Sequence, residues 1–173
     1  MDRRTAIADG VLSTKPLLAR YLKGFSDANH TAQAPGLPNH VAWQLGHLAL
    51  VMQTIAKHFD GEPLAEADFV QGAAVNTPEK FGTETVCFAS PAPVAGQVWP
   101  RFERCVQAYD AAVERLARCV RESEDARLDV MIPWGPTQIP LYMAAQRMVF
   151  HNGMHTGQLA DLRRGLGMGS IFA

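Results

Sequence analysis

The sequence predicts an all-α protein, a four-helix bundle with a long crossover between helices two and three. Four segments repeat apolar residues at steps of three and four, as helices with one buried face do. No neighbouring pair of segments shows the alternation and turn of a convincing strand hairpin. The chain has 173 residues, 47% of them hydrophobic, which is enough for the core of a single domain over residues 1–173.

The first two predicted helices cover residues 5–27 and 39–59. Pro16 lies inside the first, where it should kink the helix or divide it in two. Asn39 is suited to cap the start of the second helix, and Gly61 is suited to end it. The second helix is apolar nearly all round, so we expect it to be the most buried of the four.

The last two predicted helices cover residues 98–121 and 140–164. Pro100 is tolerable only in the first turn of the third helix, and Pro140 suits the first position of the fourth. Gly165 suits the position just after the end of the fourth helix.

The connection between helices two and three, residues 60–97, is long for a compact domain and rich in proline and glycine. We expect it to contain short helical turns and to cover one end of the bundle. A connection of this length can cross from one end of the bundle to the other.

Composition excludes several classes of function. The net charge is −1 with 19% charged residues, so the chain has no basic footprint for nucleic acid and no polybasic patch for a membrane. Its most apolar stretch, residues 41–55, is interrupted by polar side chains and is shorter than the ~20 residues of a membrane span. No apolar segment follows the charged start of the chain, so we expect a cytoplasmic protein.

The three cysteines form no C-x-x-C pair and favour reduced structural thiols. Cys87, in a predicted loop, is the one for which a reactive role stays open.

The most informative motif is a pair of histidines on the fourth helix. His151 and His155 are four residues apart and so point from one helical face. They take the places of leucines in its core stripe, where an unpartnered polar ring costs about 1–3 kcal/mol. A metal ion shared by both rings explains the pair. The glutamate that follows the first histidine of zinc proteases is replaced by Asn152, which excludes that class.

A third ligand must come from another helix, and His47 is the best candidate. It lies in the most apolar helix beside Gly46, which allows a neighbour to approach closely. An isolated histidine there would be an ordinary core residue, but the pair on the fourth helix changes that interpretation. His40 and His58 lie ~10 and ~16 Å from His47 along the helix, so they are interpreted as residues of the helix ends.

Four further residues are candidates for orienting the rings or lining the pocket. Each is equally compatible with ordinary packing. They are Gln44, Asn152, Gln158 and Trp134, the last in a predicted loop before the fourth helix.

Residues 39–48, NHVAWQLGHL, and residues 150–158, FHNGMHTGQ, resemble the paired motifs of the DinB-like family of small four-helix-bundle metalloproteins. The resemblance implies a metal triad of His47, His151 and His155, a long crossover and a homodimer. Gly153 and Gly157 form a strip of small residues, for which tight packing inside the bundle and a dimer contact both remain open.

Three neutral imidazoles leave a divalent ion its charge and an open position for a small-molecule substrate. Zinc or nickel is favoured, with iron and cobalt behind. The resemblance implies a transferase or isomerase that uses a low-molecular-weight thiol on a small electrophile. A metal-dependent hydrolase and a non-catalytic metal- or ligand-binding module remain alternatives. No carboxylate near the motifs offers a general base, which weakens the hydrolase, and no catalytic residue is assigned.

Overall fold

The protein is mainly α-helical, as predicted. The computed structural model describes residues 2–73, 77–87 and 98–172. Within these ranges it has four long helices: α1 Arg3–Leu22, α2 Val41–Asp60, α3 Phe102–Glu122 and α4 Leu141–Gly165. Strand content is small and consists of two short pairs: β1 Phe69–Val70 with β2 Phe81–Gly82, and β3 Met131–Trp134 with β4 Thr137–Pro140. None of the described helices has the length and apolar character needed to cross a membrane.

The helices pack in a simple pattern. Helix α1 contacts α3 and α4, and α2 contacts the same two helices. More than half of α2 is buried, a larger share than in any other described helix, as its apolar sequence predicts. Helix α2 therefore presents side chains to both α3 and α4, and its contact with α4 brings together the two histidine motifs.

Helix α1 runs through Pro16 as one helix, so, of the kink or division expected there, the division is wrong. The hydroxyl groups of Ser13 and Thr14 donate to carbonyl oxygens of the preceding turn, where proline weakens the backbone ladder. Buried Val11 and Leu18 hold both sides of the proline against the core.

The cap of α2 differs by one residue from the prediction. His40, not Asn39, is the N-cap, and its Nδ1 accepts a hydrogen bond from the backbone N–H of Trp43 at 3.2 Å. Gly61 ends the helix in the left-handed region at φ 76°, as predicted.

The remaining helix ends also differ from their predicted positions by a few residues. Pro100 precedes α3, which begins at Phe102, where the Asp27 carboxylate accepts from the first backbone N–H at 2.7 Å. Pro140 is the N-cap of α4 because it still pairs within the β3–β4 hairpin, and Gly165 is the last helical residue.

The described parts of the 60–97 connection form short helical turns, as predicted, and a small parallel ladder that was not predicted. In one of these turns, the Phe69 N–H donates to the Ala65 carbonyl, and β1 then pairs in parallel with β2. The segment around Phe81 and Val86 lies directly on α2 at Gly46, so this part of the connection borders the side of that helix.

The β3–β4 hairpin was also missed. Its strands are four residues each, Pro133 and Pro140 lie within them, and the turn is closed by Gly135 at φ 59°. Strands this short carry little alternation for a sequence pattern to reveal. The hairpin places Trp134 close to the N-terminal half of α4.

Candidate metal centre

The three predicted ligands come together between α2 and α4. The ligand nitrogen atoms of His47, His151 and His155 all lie within 4.8 Å of one another. The Nε2 atom of His151 is 3.2 Å from the Nε2 of His47 and 3.2 Å from the Nε2 of His155. Histidines from two helices thus turn the same ring nitrogen towards one point.

This spacing fits a shared ion. Two imidazole nitrogens that bind one tetrahedral zinc ion, each at ~2.0–2.1 Å, are ~3.3 Å apart. Lone pairs at such a distance repel each other unless a proton or a cation lies between them. Among the described residues, no carboxylate or thiol joins this cluster. An all-imidazole donor set suits zinc, nickel, iron or cobalt rather than magnesium or calcium.

His47 is held by two contacts that the sequence analysis did not anticipate. Its Nδ1–H donates to the carbonyl oxygen of Val86 at 3.0 Å, which places the proton on Nδ1 and leaves the Nε2 lone pair free. Trp43 stacks on the ring, with centroids 4.7 Å apart and planes 8° from parallel. The Trp43 indole N–H is itself anchored on the carbonyl of Thr85 at 3.1 Å.

Burial keeps the three rings neutral, the form that binds a metal. It lowers the pKa of all three histidines, and the neighbouring imidazoles add to the effect for His151 and His155. The pKa falls to about 4 for His151 and to about 3 for His155. The rings therefore carry free lone pairs across the physiological pH range.

Of three predicted accessory residues, Gln44 and Asn152 bond away from the rings, whereas Gln158 also interacts with His155. Gln44 donates to the carbonyl of Asn39 at 2.8 Å, and Asn152 donates to the carbonyl of Met148 at 2.8 Å. The oxygen of Gln158 accepts from Asn39 at 3.4 Å. Gln158 also lies near His155 and acts to raise the pKa of that ring. Among the described residues, no hydrogen bond joins Gln44 or Asn152 to the three rings.

A cavity of about 980 Å³ opens beside the cluster. His47 and His151 lie in its wall, and half-buried Trp134 lines it together with the β3–β4 turn. Cys87 also lines it, whereas Cys105 and Cys119 are buried elsewhere and unpaired. The volume is at the upper end of the usual range for small-molecule sites.

The other histidines stay outside the cluster. His58 lines the cavity from the last turn of α2, and His40 caps the first turn. Buried His30, to which no role was assigned, donates from Nε2 to the carbonyl of Pro100 at 2.9 Å. These placements agree with the distances expected along α2.

His40 leads to a prediction about acid stability. Burial lowers its pKa to about 4, below the ordinary 6.5, and its Nδ1 must stay unprotonated to cap Trp43. Between pH 6.5 and 4 the unfolded chain therefore binds more protons at this position, so the free energy of unfolding falls as the pH falls. His151 and His155 contribute with the same sign.

Replacing His40 by asparagine keeps a capping acceptor and removes one titrating group. We expect the slope of unfolding free energy against pH to decrease by up to about 1.4 kcal/mol per pH unit in that window. Urea titrations of both proteins in EDTA at pH 7, 6, 5 and 4 measure it. Parallel plots of unfolding free energy against pH for the two proteins would contradict the lowered pKa of His40.

Fold and site together define a mainly helical protein with a three-histidine cluster suited to a metal ion. The chain belongs to the DinB superfamily, whose family model matches residues 13–159, a range that includes all three histidines. No curated protein and no solved structure matches the chain.

Proposed function

We propose that the protein is a metal-dependent enzyme built as a four-helix bundle. One divalent ion, zinc or nickel, is held by His47, His151 and His155 and faces a small-molecule substrate in the adjoining cavity. The observation that carries this proposal is the convergence of three neutral imidazole nitrogens beside a cavity of about 980 Å³, which the rings of His47 and His151 line.

A divalent ion with three neutral ligands keeps its charge and an open position, and so supplies Lewis acidity towards a carbonyl or a thiolate. The protein's own groups prepare that site. Val86 fixes the tautomer of His47, and Trp43 keeps its ring from turning. The largely apolar cavity wall lowers the local polarity, which strengthens electrostatic interactions there.

The reaction we favour is transfer or isomerisation of a small electrophile with a low-molecular-weight thiol as cosubstrate. Membership of the DinB superfamily and the resemblance of the paired motifs support the thiol. The cavity volume supports it as well, because it has room for two small molecules. The catalytic residues are unassigned.

A metal-dependent hydrolase is the second candidate, and Glu84 is the observation that favours it. Glu84 carries the one carboxylate among the described residues that line the cavity. In a hydrolase it is the group placed to take a proton from water. Replacing Glu84 by glutamine should then abolish turnover without thiol and leave metal content unchanged.

Metal content tests the site. The protein is purified without a histidine tag, loaded with one equivalent of zinc or nickel, dialysed and analysed by plasma mass spectrometry. We expect about one ion per chain for wild type and at least a tenfold weaker affinity for His47→Ala, His151→Ala and His155→Ala. His58→Ala is the matched control, since His58 lines the cavity outside the cluster. Full metal content in all three variants would overturn the proposal.

Turnover then separates the reaction classes. Loss of an electrophile is followed with and without thiol, before and after chelation. Thiol-dependent turnover that stops on chelation identifies the transferase or isomerase, and thiol-independent ester or amide cleavage identifies the hydrolase. Metal binding without turnover would identify a metal- or ligand-binding module.

A homodimer and a cytoplasmic location complete the proposal. An added Cβ at Gly153 or Gly157 would meet nothing within 4 Å, so tight packing of these glycines against the rest of the chain is wrong. Phe150 and Met154, on the same helix, are 76% and 43% exposed. Exposed apolar side chains beside open glycines are typical of a surface that a second copy covers.

A further inference from the structure

Among the described residues that line the cavity beside the cluster, Arg147 is the one arginine or lysine, and its side chain is exposed. Arg147 lies one helical turn before His151 on α4, so the two side chains start ~6 Å apart along the helix axis. Both line the same cavity. A group bound to Arg147 therefore lies next to the cluster.

Arg147 is positioned but not neutralised. Its guanidinium carbon lies 5.2 Å from the centroid of the Trp134 ring, in the geometry of a cation–π contact. No hydrogen bond or ion pair joins Arg147 to any residue in the described ranges 2–73, 77–87 and 98–172. The Trp134 ring thus holds the guanidinium while leaving its N–H donors free for a ligand.

The rest of the described wall is largely apolar. The side chains that give it this character come from α2, from the connection and from the β3–β4 hairpin, and they include Leu50, Val51, Ile55, Val86, Ile132 and Pro136. A ligand that fills this wall needs an apolar body, since unpaired polar groups there would lose their hydration.

Besides Arg147, Cys87 and the cluster histidines, the titratable groups among the described residues of the wall are Glu84 and His58. Glu84 makes no ion pair with Arg147, although both line the cavity. An anionic ligand is repelled by Glu84 and attracted by Arg147, so its charged end should lie at Arg147 and away from Glu84.

We propose that the cavity binds an apolar carboxylate of small to medium size, with its carboxylate paired to Arg147 and its body along the apolar wall. This names the substrate class of the site and so rests on the proposed function. A carboxylate is favoured because its two oxygens match the planar fork of guanidinium donors. Arg147 is a specificity-determining residue in this account.

Calorimetric titration with octanoate and with neutral octanamide tests the proposal on EDTA-treated protein, so that no metal binds the carboxylate. For wild type we expect octanoate to bind at least roughly tenfold more tightly than octanamide. Arg147→Met should weaken octanoate at least roughly tenfold and leave octanamide within about twofold, with Arg147→Lys between the two. Arg118→Met is the matched control: an exposed arginine on α3 outside the cavity.

Three outcomes overturn the proposal: no binding of octanoate to wild type, equal binding of the two ligands, or an unchanged octanoate affinity in Arg147→Met. Metal content of Arg147→Met should equal that of wild type, which also shows that the variant is folded. If metal content depends on the three histidines but octanoate is not preferred, the substrate class is wrong and the metal site stands. If octanoate is preferred but metal survives all three histidine variants, the metal site is wrong and the carboxylate site stands.

Discussion

Replacing Arg115 by methionine is expected to lower the free energy of unfolding by about 3 kcal/mol, because it removes a half-buried ionic network. Arg115 donates to both oxygens of Asp60 at 2.9 Å, and the two side chains are only 11% and 24% exposed. It also donates to Gln53 and to the carbonyls of Glu62 and Pro63. The substitution leaves all of these acceptors without their cation.

Asp60 reports the same change through its titration. Burial acts to raise its pKa, but hydrogen bonds from Arg115, and smaller ones from Cys119 and the backbone N–H of Glu62, together lower the pKa to about 2. Without Arg115 the pKa of Asp60 should rise. At neutral pH the variant should therefore lack the part of the unfolding free energy that the wild type loses as the pH falls from about 4 to 2. Urea unfolding at pH 7 measures the loss.

Arg118→Met is the control for this experiment. Arg118 lies one turn further along α3, is exposed, and makes no hydrogen bond or ion pair with a described residue. We expect its replacement to change stability by less than about 0.5 kcal/mol. Equal effects of the two substitutions would contradict a specific role for the Arg115 network in fastening the connection to α3.

The second large effect is expected at Gly46, where the connection lies on α2. An alanine Cβ would lie 2.6 Å from a ring carbon of Phe81 and 2.9 Å from a methyl of Val86. Both side chains are buried and have little room to move. Alanine gains up to about 1 kcal/mol in helix propensity, but overpacking costs about 1–3 kcal/mol, so we expect Gly46→Ala to destabilise the protein.

Gly46→Ala should also weaken metal binding, roughly tenfold, because displacement of Val86 disturbs the carbonyl that orients His47. Urea unfolding and competition with a chelator measure the two effects. Gly10→Ala is the matched control, since Gly10 lies inside α1, and an added Cβ there would be in ordinary contact with a methyl of Val149 at 3.4 Å. It should gain up to about 1 kcal/mol and keep its metal affinity. Equal gains in both variants would contradict the close contact at Gly46.

The ligand cluster was predictable because each histidine breaks a strong pattern. His151 and His155 interrupt the apolar stripe of one helix, and His47 lies in the most apolar helix of the chain. Buried polar rings in such positions need a common partner. Helical geometry alone places the first two together, but the approach of α2 to α4 depends on packing across the core.

Other features of the site left a weaker signal or none. Trp43 and Arg147 each lie four residues before a histidine, and so share its helical face; this spacing could have identified both. Val86 acts through its backbone carbonyl, which no side-chain pattern records. Val86 lies 39 positions from His47 along the chain.

The errors in the fold have physical causes as well. Pro16 did not divide α1 because packing on both sides outweighs one lost backbone hydrogen bond. The sequence pattern did not predict the β3–β4 hairpin because its strands have only four residues each and each contains a proline.

X-ray absorption of the protein loaded with one equivalent of zinc or nickel tests the metal centre most directly. We expect a first shell with three imidazole nitrogens at ~2.0–2.1 Å, and the loss of one imidazole in each of the three histidine variants. A shell with fewer than three imidazoles, or one that is identical in wild type and His151→Ala, would contradict a metal ion held between α2 and α4.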